Sequence, residues 1–166
     1  MQGLRNIVGL VVASLAFAPA TPNAIAQETA FTFTCQEFGG GSPPEPLGDR
    51  EGHAISVGNY SCRADSGPLA GGVLTGTGIW EWDKTNAKMI SNGGVIRKPG
   101  ASAGYQITDG KLALTITDGK VTGATGEGAG IYSVAVGDAA SLNDKSFSWT
   151  TKSTGPGTFQ IDVKIK

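Results

Sequence analysis

The chain has 166 residues, with 13 basic and 14 acidic side chains and a single histidine, which gives a formal net charge of −1 at pH 7. The basic residues are scattered along a slightly acidic chain, so nothing indicates a nucleic-acid partner, which would need a basic patch. One histidine cannot build a histidine-based metal site. We therefore expect no nucleic acid, no metal and no cofactor.

Residues 1–26 have the three parts of a secretory signal peptide. Arg5 is the only charged side chain of this segment, and the apolar run from Ile7 to Ala18 follows it. That run is too short for a membrane-spanning helix, which needs about 20 residues. The triplet Ala24-Ile25-Ala26 has the small residues that signal peptidase recognises. We predict cleavage after Ala26, a single mature domain of residues 27–166 without a transmembrane segment, and a periplasmic or secreted location.

The predicted mature chain contains two cysteines, Cys35 and Cys62. In an exported protein, an even number of cysteines predicts a disulfide. The alternatives are two reactive thiols or a pair of metal ligands, and the spacing does not fit a metal site. A bond between Cys35 and Cys62 would stabilise the fold by roughly 3 kcal/mol.

Apolar and polar residues alternate along most of the mature chain, which is typical of half-buried β-strands. The clearest alternation is at the C-terminus, in Thr158–Lys166, where the large apolar residues should all share one face. The predicted strands are Phe31–Glu37, Ala54–Arg63, Val73–Trp82, Lys88–Ser91, Val95–Lys98, Lys111–Thr117, Ala129–Val136, Ser146–Trp149 and Thr158–Lys166.

The pentapeptide Ile-Thr-Asp-Gly-Lys occurs twice, at Ile107–Lys111 and at Ile116–Lys120. Asp-Gly favours a two-residue type I′ hairpin turn, in which both residues have φ > 0. Two such turns predict three consecutive antiparallel strands within residues 102–126. Asn92-Gly93-Gly94 predicts a further hairpin, and Thr154–Gly157 predicts a turn before the last strand.

About eight to ten short strands joined by tight turns predict an all-β domain, and consecutive hairpins favour a small antiparallel up-and-down β-barrel over a sandwich. Gly39–Gly52, which contains three prolines, is predicted to be a loop at the rim of the barrel. Ala139–Asp144 is expected to form one helical turn.

The strand Leu74–Trp82 is the first candidate for a binding site. Trp80 and Trp82 would share one face with the two glycines of this strand. If this face lines a barrel, two indole rings lie beside positions without side chains, as in an apolar ligand cavity. The alternative is that the glycines accommodate large side chains from facing strands in a packed core.

The second candidate is Arg97, which Tyr105 follows along the chain. If Arg97 points into the barrel, it needs a partner or a polar ligand such as a carboxylate or a phosphate. Otherwise Arg97 is an external residue that pairs with Glu81 or Asp83 near a strand end. No group of residues forms a catalytic constellation. The candidate ligand-binding residues are therefore Trp80, Trp82, Arg97 and Tyr105.

Two stretches resemble those of the allene-oxide-cyclase and dirigent-like barrels. They are the glycine-rich run Val121–Gly130, which follows an Asp-Gly hairpin, and the closing strand Gly155–Ile165. The resemblance covers roughly the last third of the chain, and Glu127-Gly128 stands where those barrels usually have an aromatic residue. It implies an eight-stranded antiparallel barrel that encloses an apolar pocket.

Together these features predict an exported small β-barrel that binds a small apolar or amphipathic ligand without turnover. The first alternative is an enzyme of the isomerase or cyclase type, which an inward-facing Glu81 or Glu127 would favour. The second alternative is an envelope interaction module, which a packed core and an exposed apolar patch would favour.

Overall fold

The computed structural model describes residues 30–38 and 44–166, so the predicted signal peptide and its cleavage site lie outside the described residues. This part of the chain contains nine strands and one short 3₁₀ helix. The strands are β1 (Ala30–Glu37), β2 (Glu45–Pro46), β3 (His53–Ala64), β4 (Val73–Asp83), β5 (Asn86–Lys98), β6 (Ala101–Thr117), β7 (Lys120–Gly137), β8 (Ser146–Gly155) and β9 (Thr158–Ile165), and the helix is Ala140–Leu142.

Eight of these strands form a closed antiparallel barrel. The order around the ring is β1-β9-β8-β7-β6-β5-β4-β3, and the ring closes where β1 pairs with β3. The two-residue strand β2 lies outside the ring and pairs with β3 at Ala54 and Ile55. The predicted all-β fold with up-and-down order is thus confirmed.

The predicted disulfide is also confirmed, and it lies where the ring closes. Cys35 of β1 and Cys62 of β3 are direct partners in the strand register and are joined by a covalent bond between their sulfur atoms. Both residues are buried in the core. The bond therefore links the first strand of the barrel to the one that completes the ring.

The prediction of three strands within residues 102–126 is wrong, because only the second Asp-Gly pair forms a turn. Asp118 and Gly119 have φ values of 52° and 72° and connect β6 to β7. The first pair lies inside β6, next to a register shift that follows Ile107. Gly110 is needed there for packing, since a Cβ atom on it would lie 2.8 Å from Cζ2 of Trp149.

The predicted hairpin at Asn92-Gly93-Gly94 is wrong for a similar reason. These residues lie within β5, and the turn that joins β4 to β5 is at Lys84–Thr85 instead. A Cβ atom on Gly94 would collide with the backbone oxygen of Thr75 and would lie 2.8 Å from the hydroxyl oxygen of Tyr105. This glycine therefore makes room for a neighbouring ring and does not reverse the chain.

The two ends of the barrel differ. At one end, the loop between β3 and β4 and the 3₁₀ helix fold over the core, where Leu69, Ala139 and Leu142 are buried. This confirms the predicted helical turn. The other end, which we call the mouth, carries the tight turns that follow β4, β6 and β8, together with the connection from β1 to β3. The predicted rim loop belongs to this connection, and its residues 39–43 lie outside the described residues.

Candidate functional site: an internal cavity

Most inward-facing glycines of the barrel are covered by large side chains from adjacent strands. In β7, the ring of Trp149 covers Gly128, where a Cβ atom would lie 2.8 Å from Cε2 of the indole. Phe147 covers Gly130 in the same way, with a separation of 2.7 Å from Cε2 of its ring. The glycine-rich run of β7 thus lets two rings of β8 lie close to the backbone of this wall.

The same arrangement occurs in β4. A Cβ atom on Gly76 would collide with the hydroxyl oxygen of Tyr105 and would lie 2.7 Å from that of Tyr60. At Gly78 it would lie 2.9 Å from Nε1 of Trp80. At these two positions the glycines accommodate large side chains, as the packed-core alternative predicts.

Gly58 of β3 is the exception. It lies on the face of β3 that also carries Tyr60, yet a Cβ atom placed on it would have no atom of the described residues within 4 Å. The space belongs to a cavity of about 170 Å³ inside the barrel. Its lining residues are Phe33, Glu37, Gly58, Tyr60, Leu74, Trp80, Asn92, Ile96, Tyr105, Ile107, Leu112, Ala124, Tyr132, Phe147, Trp149, Thr151, Ser153, Phe159, Ile161 and Val163. The cavity is therefore mainly aromatic and aliphatic.

Two tyrosines and an asparagine form the main polar feature of the cavity. The hydroxyl of Tyr60 donates a hydrogen bond to Oδ1 of Asn92 at 2.8 Å, and it lies 2.8 Å from the hydroxyl of Tyr105. Burial raises the pKa of both tyrosines well above the usual value, and burial also raises the pKa of Tyr132. These hydroxyl groups are therefore neutral at physiological pH and can interact only as hydrogen-bond donors or acceptors.

A further polar atom in the cavity wall lacks a partner. Nε1 of Trp149 is buried and has no hydrogen-bond partner within the described part of the chain. Leaving such a donor unsatisfied costs about 1–3 kcal/mol, whereas most buried polar groups are paired.

Glu37 is the one charged residue among the described residues that line the cavity. It is the last residue of β1, it pairs in register with Tyr60, and its side chain is exposed at the mouth. The cavity lining is thus uncharged except for this one carboxylate, which lies at the mouth.

The structure brings two of the four predicted site residues together. Trp80 and Tyr105 both line the cavity. Trp82 shares the inward face of β4 but packs nearer its end against Ala54 and Ala87, and its Nε1 donates to Oγ of Ser56 at 2.8 Å. Trp82 is therefore separate from the cavity lining.

Of the two alternatives for Arg97, the structure excludes the inward-facing one. Its neighbour Ile96 is buried in the core, so Arg97 points outward and is exposed. The proposed pairing with Glu81 or Asp83 is wrong as well, because Arg97 lies opposite Val73, at the other end of β4. The described residues that line the cavity thus include no arginine to bind an anionic ligand group.

Sequence reasoning missed the other side of the cavity. Gly58, Tyr60 and Glu37 come from the two strands whose pairing closes the barrel, and that pairing could not be deduced. Trp149 was placed on a strand but was not linked to any site. The signal that could have found Tyr60 is its place two residues from Gly58, which repeats the ring-and-glycine spacing of β4.

A cluster of charged residues lies outside the cavity, at the start of β3. His53 is held between Oδ1 of Asp49, at 2.5 Å from Nδ1, and Oε1 of Glu81, at 2.9 Å from Nε2. The hydrogen bond to Asp49, and next that to Glu81, raises the pKa of His53, while the bond from His53 lowers the pKa of Asp49. Glu81 is thus an exposed residue that ties β4 to the loop before β3.

Glu127 also faces away from the cavity. Its Oε1 lies 3.2 Å from Nζ of Lys111, and both side chains are well exposed. Neither Glu81 nor Glu127 therefore lies at the floor of the cavity, where either one would have favoured an enzyme. Within residues 30–38 and 44–166, no group of His, Cys, Asp and Glu residues is arranged to hold a metal ion.

The fold and the site define a small closed antiparallel β-barrel with an internal, mainly aromatic cavity. Among the described residues, no helix is long and apolar enough to span a membrane. A scan against protein-family models and searches of curated proteins and of solved structures found no match to this chain. The resemblance to the allene-oxide-cyclase and dirigent-like barrels therefore stays a prediction.

Proposed function

We propose that this chain is an exported carrier that binds one small apolar or amphipathic molecule inside its barrel. The observation that carries this proposal is the space on the inward side of Gly58, which no described residue fills. The other inward-facing glycines of the barrel are mostly covered by rings. Interiors of proteins are close-packed, and voids larger than a water molecule are few. A cavity retained at this one position is best explained by a ligand that fills it.

The size and the chemistry of the cavity restrict the ligand. Its volume of about 170 Å³ is close to that of an engineered apolar cavity of about 150 Å³, which binds benzene. It is smaller than the cavities of about 300–1,000 Å³ that hold drug-sized molecules. A single ring or a short chain would fit, with the rest of the molecule extending through the mouth. The neutral hydroxyls of Tyr60 and Tyr105 could orient one polar group of such a ligand.

Export to the periplasm or the cell exterior is the second part of the proposal. It is supported by the Cys35–Cys62 bond, because disulfides persist mainly in oxidising compartments. It is also supported by the signal-like pattern of residues 1–26. Intact mass spectrometry of the exported protein checks both points. We expect a chain that begins at Gln27 and is two hydrogens lighter than its reduced form, and an uncleaved chain would contradict the proposal.

Binding without turnover is favoured over the two alternatives. An isomerase or cyclase would gain support from a glutamate at the floor of the cavity, and both candidates, Glu81 and Glu127, lie outside it. An interaction module should have a filled core, whereas this core contains a cavity. Several large apolar residues are exposed on the outer face, among them Val134 and Val136, but nothing indicates a partner that covers them.

The proposal is tested by filling the cavity from Gly58. The neutral probe 2-phenylethanol is titrated into the purified protein while tryptophan emission is recorded, since Trp80 and Trp149 line the cavity. The Gly58→Leu substitution places a side chain in this space, where its Cβ atom would meet no described atom within 4 Å. We expect saturable binding to the wild type and at least tenfold weaker binding to Gly58→Leu, which corresponds to about 1.4 kcal/mol.

The matched control is Val57→Leu, which changes the neighbouring, outward-facing and exposed residue of the same strand. This variant should bind the probe as the wild type does. Equal affinities of the wild type and Gly58→Leu would show that the probe binds elsewhere, and the absence of saturable binding to the wild type would contradict a carrier of small apolar molecules. Thermal unfolding of each variant confirms that it is folded.

A further inference from the structure

We infer, on the basis of the proposed function, that the barrel selects ligands with a protonated amine, which Glu37 binds at the mouth while the apolar body enters the cavity. The inference specifies the class of ligand as a small cationic amphiphile with one ring or a short chain. It rests on the placement of the single carboxylate, on the rings beside it, and on the neutral interior.

The backbone of Glu37 is well positioned. Its N–H donates a hydrogen bond to the carbonyl oxygen of Gly157 at 2.9 Å, which ties the end of β1 to the turn between β8 and β9. Register pairing with Tyr60 places the residue next to the cavity. The carboxylate is thus carried by a strand of the barrel, so its position relative to the cavity is defined by regular structure.

The Glu37 carboxylate also has no partner among the described residues. Within residues 30–38 and 44–166, no ion pair or hydrogen bond engages its oxygen atoms. Two other acidic residues at this end of the barrel, Asp49 and Glu81, differ in this respect, since both are bonded to His53. Glu37 is therefore available to a ligand, whereas those two residues already serve the structure.

Aromatic rings lie beside this carboxylate. Tyr60 and Phe159 contact each other edge to face, with ring centroids 5.8 Å apart, and both line the cavity. Phe159 pairs in register with Cys35, two residues before Glu37 on the same face of β1. Aromatic faces next to a carboxylate form the kind of site that attracts ammonium groups, through cation–π attraction and charge pairing.

The rest of the cavity disfavours a negatively charged ligand and any charged group inside the barrel. None of the described lining residues is a lysine or an arginine, and Arg97 is on the outer face. The raised pKa values of Tyr60 and Tyr105 keep the interior neutral. A charged group would lose its hydration if it moved inside, so it must remain at the mouth. There a carboxylate ligand would meet Glu37 and be repelled, whereas an amine would be attracted.

The test compares three probes of the same skeleton, namely 2-phenylethylamine, 2-phenylethanol and phenylacetate, at neutral pH and low salt. We expect the amine to bind about two- to fivefold more tightly than the alcohol, since exposed ion pairs are modest, and phenylacetate to bind most weakly. The preference for the amine should shrink as salt is added, because exposed charges are screened.

The Glu37→Gln substitution should make the affinities for the amine and the alcohol equal, with the affinity for the alcohol unchanged. Glu127→Gln is the matched control, because it removes one negative charge from the outer face of the barrel. This control should keep the order of the three probes.

Two results would overturn the inference: the alcohol binds the wild type as well as the amine does, or Glu127→Gln changes the preference as much as Glu37→Gln. If the probes bind equally, this inference fails while the carrier function stands. If none of the probes binds, the proposed function fails with it.

Discussion

Two regions of the barrel use glycine in opposite ways. We call β6 and β7 the long wall; these strands have 17 and 18 residues. Rings and branched side chains cover the inward-facing glycines of the long wall. We call the pairing of β1 with β3 the seam; it extends only from Phe33–Ala64 to Glu37–Tyr60. The next inward-facing residue of β3 after the seam is Gly58, and a Cβ atom placed on it would have no described atom within 4 Å.

The difference shows that a glycine in a strand has no fixed meaning. Gly128 is required because a ring from the next strand occupies the space where its side chain would lie. Gly58 leaves a space that no other residue of the described chain occupies. The outcome depends on which side chains the neighbouring strands bring, and this is a property of the closed barrel and not of the local sequence.

Removal of the disulfide should have the largest effect on stability, because the bond lies in the seam, where the strand pairing is much shorter than in the long wall. Replacement of both cysteines, in a Cys35→Ala and Cys62→Ala double variant, should lower the free energy of unfolding by roughly 3 kcal/mol, since the bond closes a loop across the seam. Urea denaturation of the variant and of the oxidised wild type measures this change. Equal midpoints would mean that the strand pairing holds the seam without the bond.

The next largest effect is expected in the long wall. Gly128→Ala places a methyl group against the indole of Trp149 and against the backbone of β6. Overpacking of this kind costs about 1–3 kcal/mol, which urea denaturation would detect. Gly123→Ala is the matched control in the same strand, because its nearest contact would be Cβ of Ser153 at 3.4 Å. If both variants unfold at the same urea concentration, the rings do not restrict this wall.

The smallest effect is a pH dependence near the start of β3. The pKa of His53 is raised above 6.5, so its stabilising contribution is present below pH 6.5 and is lost as the pH rises through the raised value. The pKa of Asp49 is lowered below 3.8, so its contribution is lost only as the pH falls below 3.8. The loop before β3 should therefore be held most firmly between these two values.

Hydrogen exchange of this loop in the wild type and in His53→Gln checks the prediction. Protection in the wild type should fall between about pH 5 and about pH 8.5, after correction for the intrinsic pH dependence of exchange. His53→Gln should show a smaller fall over the same range. The guanidinium of Arg50 opposes the charge on His53 and limits the effect. A variant with the same pH dependence as the wild type would rule out His53 as the responsible group.

Periodicity and turn chemistry predicted the fold class, the 3₁₀ turn and most strands, because these depend on local patterns, while the disulfide followed from the even number of cysteines in a chain with a signal-like N-terminus. The alternation in β9 is a clear case, since its apolar residues share the inner face. The two wrong hairpins have one cause. Asp109-Gly110 and Asn92-Gly93-Gly94 match turn signals, but Trp149 and Tyr105 need space at Gly110 and Gly94.

The site was only half predictable from the sequence. Trp80 was found because its strand combines tryptophans with glycines. Gly58 and Glu37 could not be found, since they line one cavity only when β1 pairs with β3 and closes the barrel. The face of Arg97 could not be decided, because the strand Val95–Lys98 is too short in sequence to show which of its residues points inward. The register with β4 and β6 decides this, and it buries Ile96.

The central claim is that the space above Gly58 is open to small apolar molecules, and xenon binding tests it most directly. Xenon enters dry apolar cavities of this size, so crystals of the protein under xenon pressure should show a bound atom beside Gly58, close to Trp80 and Trp149. Gly58→Leu should lose that atom, and Val57→Leu should keep it. Absence of xenon from the wild-type barrel, or equal occupancy in Gly58→Leu, would contradict the account.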